Sequence, residues 1–112
     1  MARFRPNLVL SEVAAHTEDH AQTLTLVTEQ RPVSLRLVKP CARCSIPNVD
    51  PRTAELQPQV SAVLASYRQD ARLEGAITFG MNAIVTEGLV PADSDAPEAV
   101  LKVGQAVQVQ LF

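Results

Sequence analysis

The stretch TLTLVTEQRPVSLRLV, Thr23–Val38, decides the fold class because both of its halves alternate apolar with polar residues. The apolar positions are Leu24, Leu26, Val33, Leu35 and Leu37. A period of two over a short run predicts a strand that is buried on one face. Gln30-Arg31-Pro32 separates the two halves, so we expect an antiparallel hairpin. The second strand should end near Lys39, because Pro40 has no N–H to donate to a sheet ladder.

Outside the hairpin, three further strands and one helix are predicted. The strands are Leu8–Leu10, Ala76–Val85 and Val107–Leu111. Pro58 suits a helix start, and an apolar face then follows at helical spacing, formed by Val60, Val63, Leu64 and Tyr67; we expect this whole face to be part of the core. Gly80 inside a strand indicates a bulge or a close approach by another group. The predicted fold is mainly β (α+β), a mostly antiparallel barrel or part-barrel of about five strands with one covering helix.

Composition excludes several classes of protein. The chain has 112 residues, which suits one domain, residues 1–112. Its net charge is −2, which argues against nonspecific nucleic-acid binding. No apolar region resembles a signal peptide or approaches the length of a membrane span, so we expect a cytoplasmic protein without a membrane partner.

The segment VKPCARCSIPNVDP, Val38–Pro51, holds both cysteines in a proline-rich setting. Lys39 and Arg43 flank the thiols, and nearby cations favour the thiolate that binds metals or attacks electrophiles. Four interpretations remain open from the residues: a thioredoxin-like pair, half of a zinc site completed by His16 and His20, two inert half-buried thiols, or a thiolate that holds a metal with an anionic organic ligand. The last explains the thiol and the cations together, because guanidinium groups suit phosphate and thiolate suits a soft or high-valent metal.

Four segments in order resemble one known family: MARFRPNLVL, VKPCARCSIPNVDPRTAE, AITFGMNAIV and LKVGQAVQV. They are similar to the second half of a MOSC domain, the molybdenum-cofactor sulfurase C-terminal domain. The nearest pattern is that of bacterial proteins similar to the mitochondrial amidoxime-reducing component. The combination of RFRPN, C-x-R-C and V-D-P is specific, whereas each motif alone is weak.

This resemblance implies a mixed β-barrel with helices, the molybdenum cofactor (Mo-molybdopterin) and a set of site residues. Cys44 matches the cysteine that ligates molybdenum, and Cys41 matches a cysteine that does not. Arg5, Asn7 and Arg43 match residues that contact the pterin. Asp50 is a further catalytic candidate, although an Asp before Pro is also a common turn former. The family also carries an association with pyridoxal phosphate binding.

The family implies reduction of N-hydroxylated compounds with electrons from an external redox protein. We expect the chain to depart from the pattern by lacking the N-terminal MOSC β-barrel domain and the first part of the catalytic domain, and two cysteines are too few for a ferredoxin cluster. We therefore expect a partner, either a separate N-terminal half or a missing segment, or else a homodimer through an open sheet edge. The alternative is a non-catalytic or remnant fragment that binds or carries the cofactor or its sulfur.

Overall fold

The computed structural model describes residues 1–112. Its strands are β1 (Ala21–Leu26), β2 (Val33–Ala42), β3 (Gln69–Asp70), β4 (Ala76–Glu87) and β5 (Val107–Leu111). The single α-helix is α1 (Gln59–Ala65). Four short 3-10 helices are η1 (Ala2–Phe4), η2 (Thr17–His20), η3 (Ile46–Asn48) and η4 (Ala71–Leu73).

The strands form one open sheet in the order β3-β4-β2-β1-β5. Strand β1 pairs antiparallel with both β2 and β5, and β3 pairs antiparallel with β4. The sheet does not close on itself, because β3 and β5 lie at its two edges. The prediction of a mainly β part-barrel with five strands and one helix is confirmed.

Two compact units share the chain. Unit 1 consists of Met1–Glu12 and Pro40–Gly80, and unit 2 consists of Val13–Lys39 and Met81–Phe112. Strands β2 and β4 each contribute residues to both units.

The core of unit 2 is the predicted hairpin with β5 added beside it. Leu24 lies opposite Leu35, and Leu26 lies opposite Val33, so the alternating residues meet on one face. All four are buried. Strand β5 continues this face, because its two valines lie opposite Leu24 and Leu26. On the other face the hydroxyls of Thr25 and Ser34 lie 3.3 Å apart and share a hydrogen bond, which satisfies the buried Ser34.

The sequence predicts that strand β2 ends near Lys39, before Pro40, but the strand continues to Ala42. The reason is visible in the register. Strand β1 pairs only with residues 33–36 of β2, so one side of β2 has no β1 partner beyond Arg36. A proline is tolerated in a strand where no neighbour needs its missing N–H.

Unit 1 corrects two further predictions. Residues 8–10 form no strand, and the two-residue β3 takes the place of the missing strand in the count of five. Helix α1 packs against η3, and only Leu64 of its predicted apolar face is buried. Val63 and Tyr67 are 60% and 57% exposed, so the prediction that this whole face is core was wrong. A seven-residue helix against a three-residue turn has too little neighbouring surface to cover the stripe.

Helix α1 is also far shorter than a membrane crossing requires, and no other helix of the structure is long and apolar enough to span a bilayer.

Candidate functional site

Unit 1 contains every site residue that the sequence predicts. Arg5 and Asn7 lie just after η1, and Arg43, Cys44 and Asp50 lie between the end of β2 and α1. We call residues 43–47 the cysteine loop. They follow β2 directly and include the first two residues of η3.

The cysteine loop begins as a direct continuation of strand β2. The main-chain N–H of Arg43 donates to the carbonyl of Ile77 on β4 at 2.8 Å, so the backbone is fixed up to the residue before Cys44. Cys44 is exposed and makes no hydrogen bond to protein. Cys41 lies within β2 and is half-buried, with its Sγ 3.8 Å from the carbonyl oxygen of Ala42. The second thiol is therefore the accessible one.

The guanidinium of Arg43 is held by two main-chain carbonyls. Its Nε donates to Phe79 at 2.9 Å, and its Nη1 donates to Phe4 at 3.1 Å. Its Cζ also lies 5.3 Å from the centre of the Phe4 ring, within cation–π range. The Nη2 group remains without a hydrogen bond to protein. Arg43 thus connects η1 to β4 through these two hydrogen bonds, and its Nη2 has no protein acceptor that an anion would have to replace.

Gly80 lies beside the end of the Arg43 side chain. A Cβ on Gly80 would stand 3.4 Å from Nη2 of Arg43, which is an ordinary van der Waals distance. The backbone of Gly80 has a φ of +80°, and this conformation is the reason that glycine is favoured here.

Arg5 and Asn7 are exposed, and neither side chain makes a hydrogen bond or an ion pair within the protein. Arg5 ends η1 in the left-handed region, with a φ of 46°. Both side chains are available to an outside ligand. The structure gives no contact between either of them and Cys44.

Asp50 forms the turn that its Asp-Pro sequence predicts. Its Oδ1 accepts the main-chain N–H of Arg52 at 2.8 Å, and its Oδ2 lies 3.7 Å from Nη2 of Arg3. The N–H of Arg52 at the carboxylate is the main cause that lowers the pKa of Asp50 below its usual value of 3.8. Further hydrogen bonding from the backbone of Thr53 and the charges of Arg3 and Arg52 act in the same direction.

Sequence reasoning missed the residues that support the loop. Phe4 and Phe79 stack with ring centres 4.0 Å apart and planes 8° apart. Buried Asn48 accepts the main-chain N–H of Ser61 at 2.9 Å through its Oδ1, which caps an N–H in the first turn of α1. Arg3 contacts the segment that follows Cys44. The only signal for these roles was the proximity of these residues to the motifs.

The donor set fits a metal that brings most of its own ligands. No group of three or more His, Cys, Asp or Glu side chains that could hold a metal ion comes together in the structure. One exposed thiol, next in sequence to an arginine whose Nη2 makes no hydrogen bond to protein, instead suits a metal that takes a single protein sulfur and carries an anionic organic ligand. The molybdenum cofactor is of this kind.

Comparison with known proteins places these features in a family context. Residues 1–108 match the MOSC domain. The chain is also 31% identical over 81 residues to the molybdenum cofactor sulfurase of Caenorhabditis briggsae, and equally to that of Caenorhabditis elegans. Each alignment covers 72% of this chain and 10% of the relative. The matched region therefore spans about a tenth of the length of these curated relatives.

Proposed function

The chain belongs to the MOSC domain family, and on this premise we propose that it binds the molybdenum cofactor as part of an oxidoreductase that acts on N-hydroxylated compounds. The observation that carries the proposal is the exposed Cys44 thiol, which follows directly after a backbone position fixed by β4. A rigid backbone before the ligand lowers the entropic cost of holding a bound group.

In this proposal Cys44 supplies the protein sulfur for molybdenum. Arg5, Asn7 and the free Nη2 of Arg43 supply hydrogen-bond donors for the pterin and its phosphate. Guanidinium donors suit phosphate because their N–H groups match the spacing of its oxygens. Once bound, the cofactor would supply the oxygen-atom transfer that reduces an N-hydroxylated substrate.

Asp50 enters the proposal as a negative charge near the loop. Its lowered pKa keeps the carboxylate ionised at neutral pH, so it accepts hydrogen bonds there rather than donating a proton. A substrate or ordered water with an N–H or O–H group is the chemical partner that this carboxylate suits.

The proposal requires other proteins. Because the alignment covers only a tenth of each relative, we propose that an N-terminal MOSC half, as a separate chain or a further segment, completes the cofactor site. An external redox protein would return the electrons that the reaction consumes.

A second candidate function is that of a non-catalytic carrier of the cofactor or its sulfur. The similarity to two molybdenum cofactor sulfurases favours it. A carrier needs the same Cys44 and arginine donors but no electron donor. Turnover with an N-hydroxylated substrate and a reducing partner separates the two functions.

The test is molybdenum content after expression in a host that makes the cofactor, alone and with the proposed N-terminal half. We expect about one molybdenum per chain in the wild type and at least a tenfold loss in Cys44→Ala. Cys41→Ala is the matched control, because it removes a half-buried thiol from the same motif and should retain the metal. Metal at background in the wild type under both conditions, or equal metal in Cys44→Ala, would contradict the proposal.

A further inference from the structure

Arg3 joins the N-terminal 3-10 helix η1 to the segment that follows Cys44. Its Nη1 donates to the carbonyl of Pro47 at 3.3 Å. Its Nη2 donates to Oε1 of Gln57 and forms an ion pair with Asp50 at 3.7 Å. One guanidinium thus contacts three acceptors, one in η3 and two beyond it. Arg3 is also only partly exposed, at 24% of its side chain, so water competes less for these contacts.

Phe4, the next residue, holds the other end of the cysteine loop. Its carbonyl accepts from Nη1 of Arg43, which immediately precedes Cys44. Its ring stacks on Phe79 and lies under the Arg43 guanidinium. Two neighbouring residues of η1 therefore contact the cysteine loop on both sides of Cys44: Phe4 contacts Arg43, and Arg3 contacts Pro47.

We propose that Arg3, together with Phe4, is a positioning residue that fastens η1 to both ends of the cysteine loop and so fixes Cys44 relative to Arg5. Arg5 follows Phe4 directly, so a displacement of η1 would change the position of Arg5 as well. The proposal rests on the proposed function for its ligand, but the contacts that hold η1 to the cysteine loop are present in the protein without a ligand. Arg3 contacts no cofactor in this account.

The chemistry favours arginine over lysine at this position. A planar guanidinium can donate in several fixed directions at once, whereas an ammonium on a flexible chain acts as one compact charge. Arg3→Lys keeps the charge opposite Asp50 and loses the simultaneous bonds to Pro47 and Gln57. It should therefore show a partial effect, and Arg3→Met should show the full effect.

The first test is hydrogen–deuterium exchange on the apo protein. The main-chain N–H groups of Asn48 and Val49 are bonded within η3, to Ser45 and Ile46, and report its opening. Arg3→Met should raise their exchange rates by about tenfold or more, since bonds from a charged donor are each strong enough for such a factor. Arg36→Met is the matched control, because Arg36 is exposed on β2 in unit 2 and its side chain makes no hydrogen bond or ion pair. If Arg3→Met does not fold, Gln57→Leu removes one of the same bonds from the other side.

The second test is the rate at which molybdenum is lost from loaded protein. We expect severalfold faster loss in Arg3→Met, partial rescue in Arg3→Lys and no change in Arg36→Met. Unchanged exchange rates at Asn48 and Val49 in Arg3→Met would show that Arg3 does not hold the cysteine loop in place. Raised exchange with unchanged metal loss would overturn the positioning of the ligand. A wild type that takes up no molybdenum would defeat the proposed function, and the exchange rates would still decide whether Arg3 holds the loop.

Discussion

Nε of Arg43 donates a hydrogen bond to the main-chain carbonyl of Phe79 at 2.9 Å, and the end of the same side chain lies beside Gly80, the residue that follows Phe79. The arginine of the C-x-R-C motif therefore supports the strand that lies beside it. Its second bond, to Phe4, ties in the segment that carries Arg5. A residue predicted from the motif as an anion donor thus also fixes the architecture around the thiol.

This dual role predicts the effect of Arg43→Lys. A lysine retains the positive charge but cannot bond the carbonyls of Phe4 and Phe79 at the same time, so at least one of these two hydrogen bonds is lost. We expect a loss of about 1–3 kcal/mol in the free energy of unfolding, measured by urea denaturation. Arg36→Lys, at an exposed arginine whose side chain makes no hydrogen bond, should change stability by less than about 0.5 kcal/mol. Equal stability of the two variants would contradict the structural role of Arg43.

Gly88 and Gly104 make a second prediction, because they share a backbone conformation and differ in their surroundings. Their φ values are +97° and +92°. A Cβ on Gly88 would stand 2.6 Å from the carbonyl oxygen of Pro32 and 2.9 Å from the Cα of Val33, whereas one on Gly104 would meet nothing within 4 Å. Gly104→Ala should cost about 1–2 kcal/mol through backbone strain alone. Gly88→Ala should cost clearly more in the same urea experiment, since backbone atoms must move, and an equal cost would contradict this packing.

The alternating stretch Thr23–Val38 was sufficient to predict the hairpin, because its period of two leaves one arrangement that buries all its leucines. The local sequence pattern gave a wrong prediction where the structure of a segment depends on a neighbouring strand or surface. Pro40 stays in β2 because β1 does not reach it, and sequence alone does not give the length of a partner strand. Val63 and Tyr67 have the spacing of a core face, but the surface that α1 finds in unit 1 is too small to bury them.

The same distinction applies to the site. The turn at Asp50 follows from local sequence, since the Asp-Pro pair shapes its own segment. The exposure of Cys44 does not, because the residues alone left open that both thiols are half-buried. The contacts of Arg3 to Pro47 and Gln57 join residues more than forty positions apart. No periodicity or spacing encodes such contacts, so only the folded structure reveals them.

Acid pH should weaken the turn at Asp50, and the sign follows from its pKa. The folded protein lowers this pKa, so the ionised carboxylate stabilises the fold fully above the ordinary value of 3.8 and this stability is lost as the pH falls through the lower folded pKa. Asp50→Asn should therefore be less stable than the wild type at neutral pH, with the two converging between about pH 5 and about pH 2. Asp93→Asn, in an exposed loop, should follow the wild-type curve throughout. Parallel wild-type and Asp50→Asn curves would contradict the interaction.

The two thiols should differ in their reaction with a disulfide reagent such as dithionitrobenzoate. Cys44 is exposed and Cys41 is half-buried within β2, so access differs between them. We expect one fast and one slow phase in the native wild type, with rates about tenfold apart. Cys44→Ala should retain only the slow phase, and Cys41→Ala only the fast one. A single rate for both thiols in native protein, equal to that in urea, would show that the structure does not protect Cys41.

Strand β5 leads to the last prediction, self-association through a sheet edge. It pairs with β1 on one side only, and its sequence VQVQL has no charge or proline to discourage a second strand. An antiparallel copy centred on Val109 would place Gln108 opposite the Gln110 of the second copy, so the edge is complementary to itself. We expect a reversible dimer whose fraction rises with concentration in analytical ultracentrifugation.

Gln108→Lys/Gln110→Lys sets like charges directly opposite each other and should remain monomeric. Gln59→Lys/Ala62→Lys adds the same charge on exposed positions of α1 and should still dimerise, because its lysines lie outside β5. A monomeric wild type at all concentrations, or equal dimerisation of both variants, would exclude this edge as the contact.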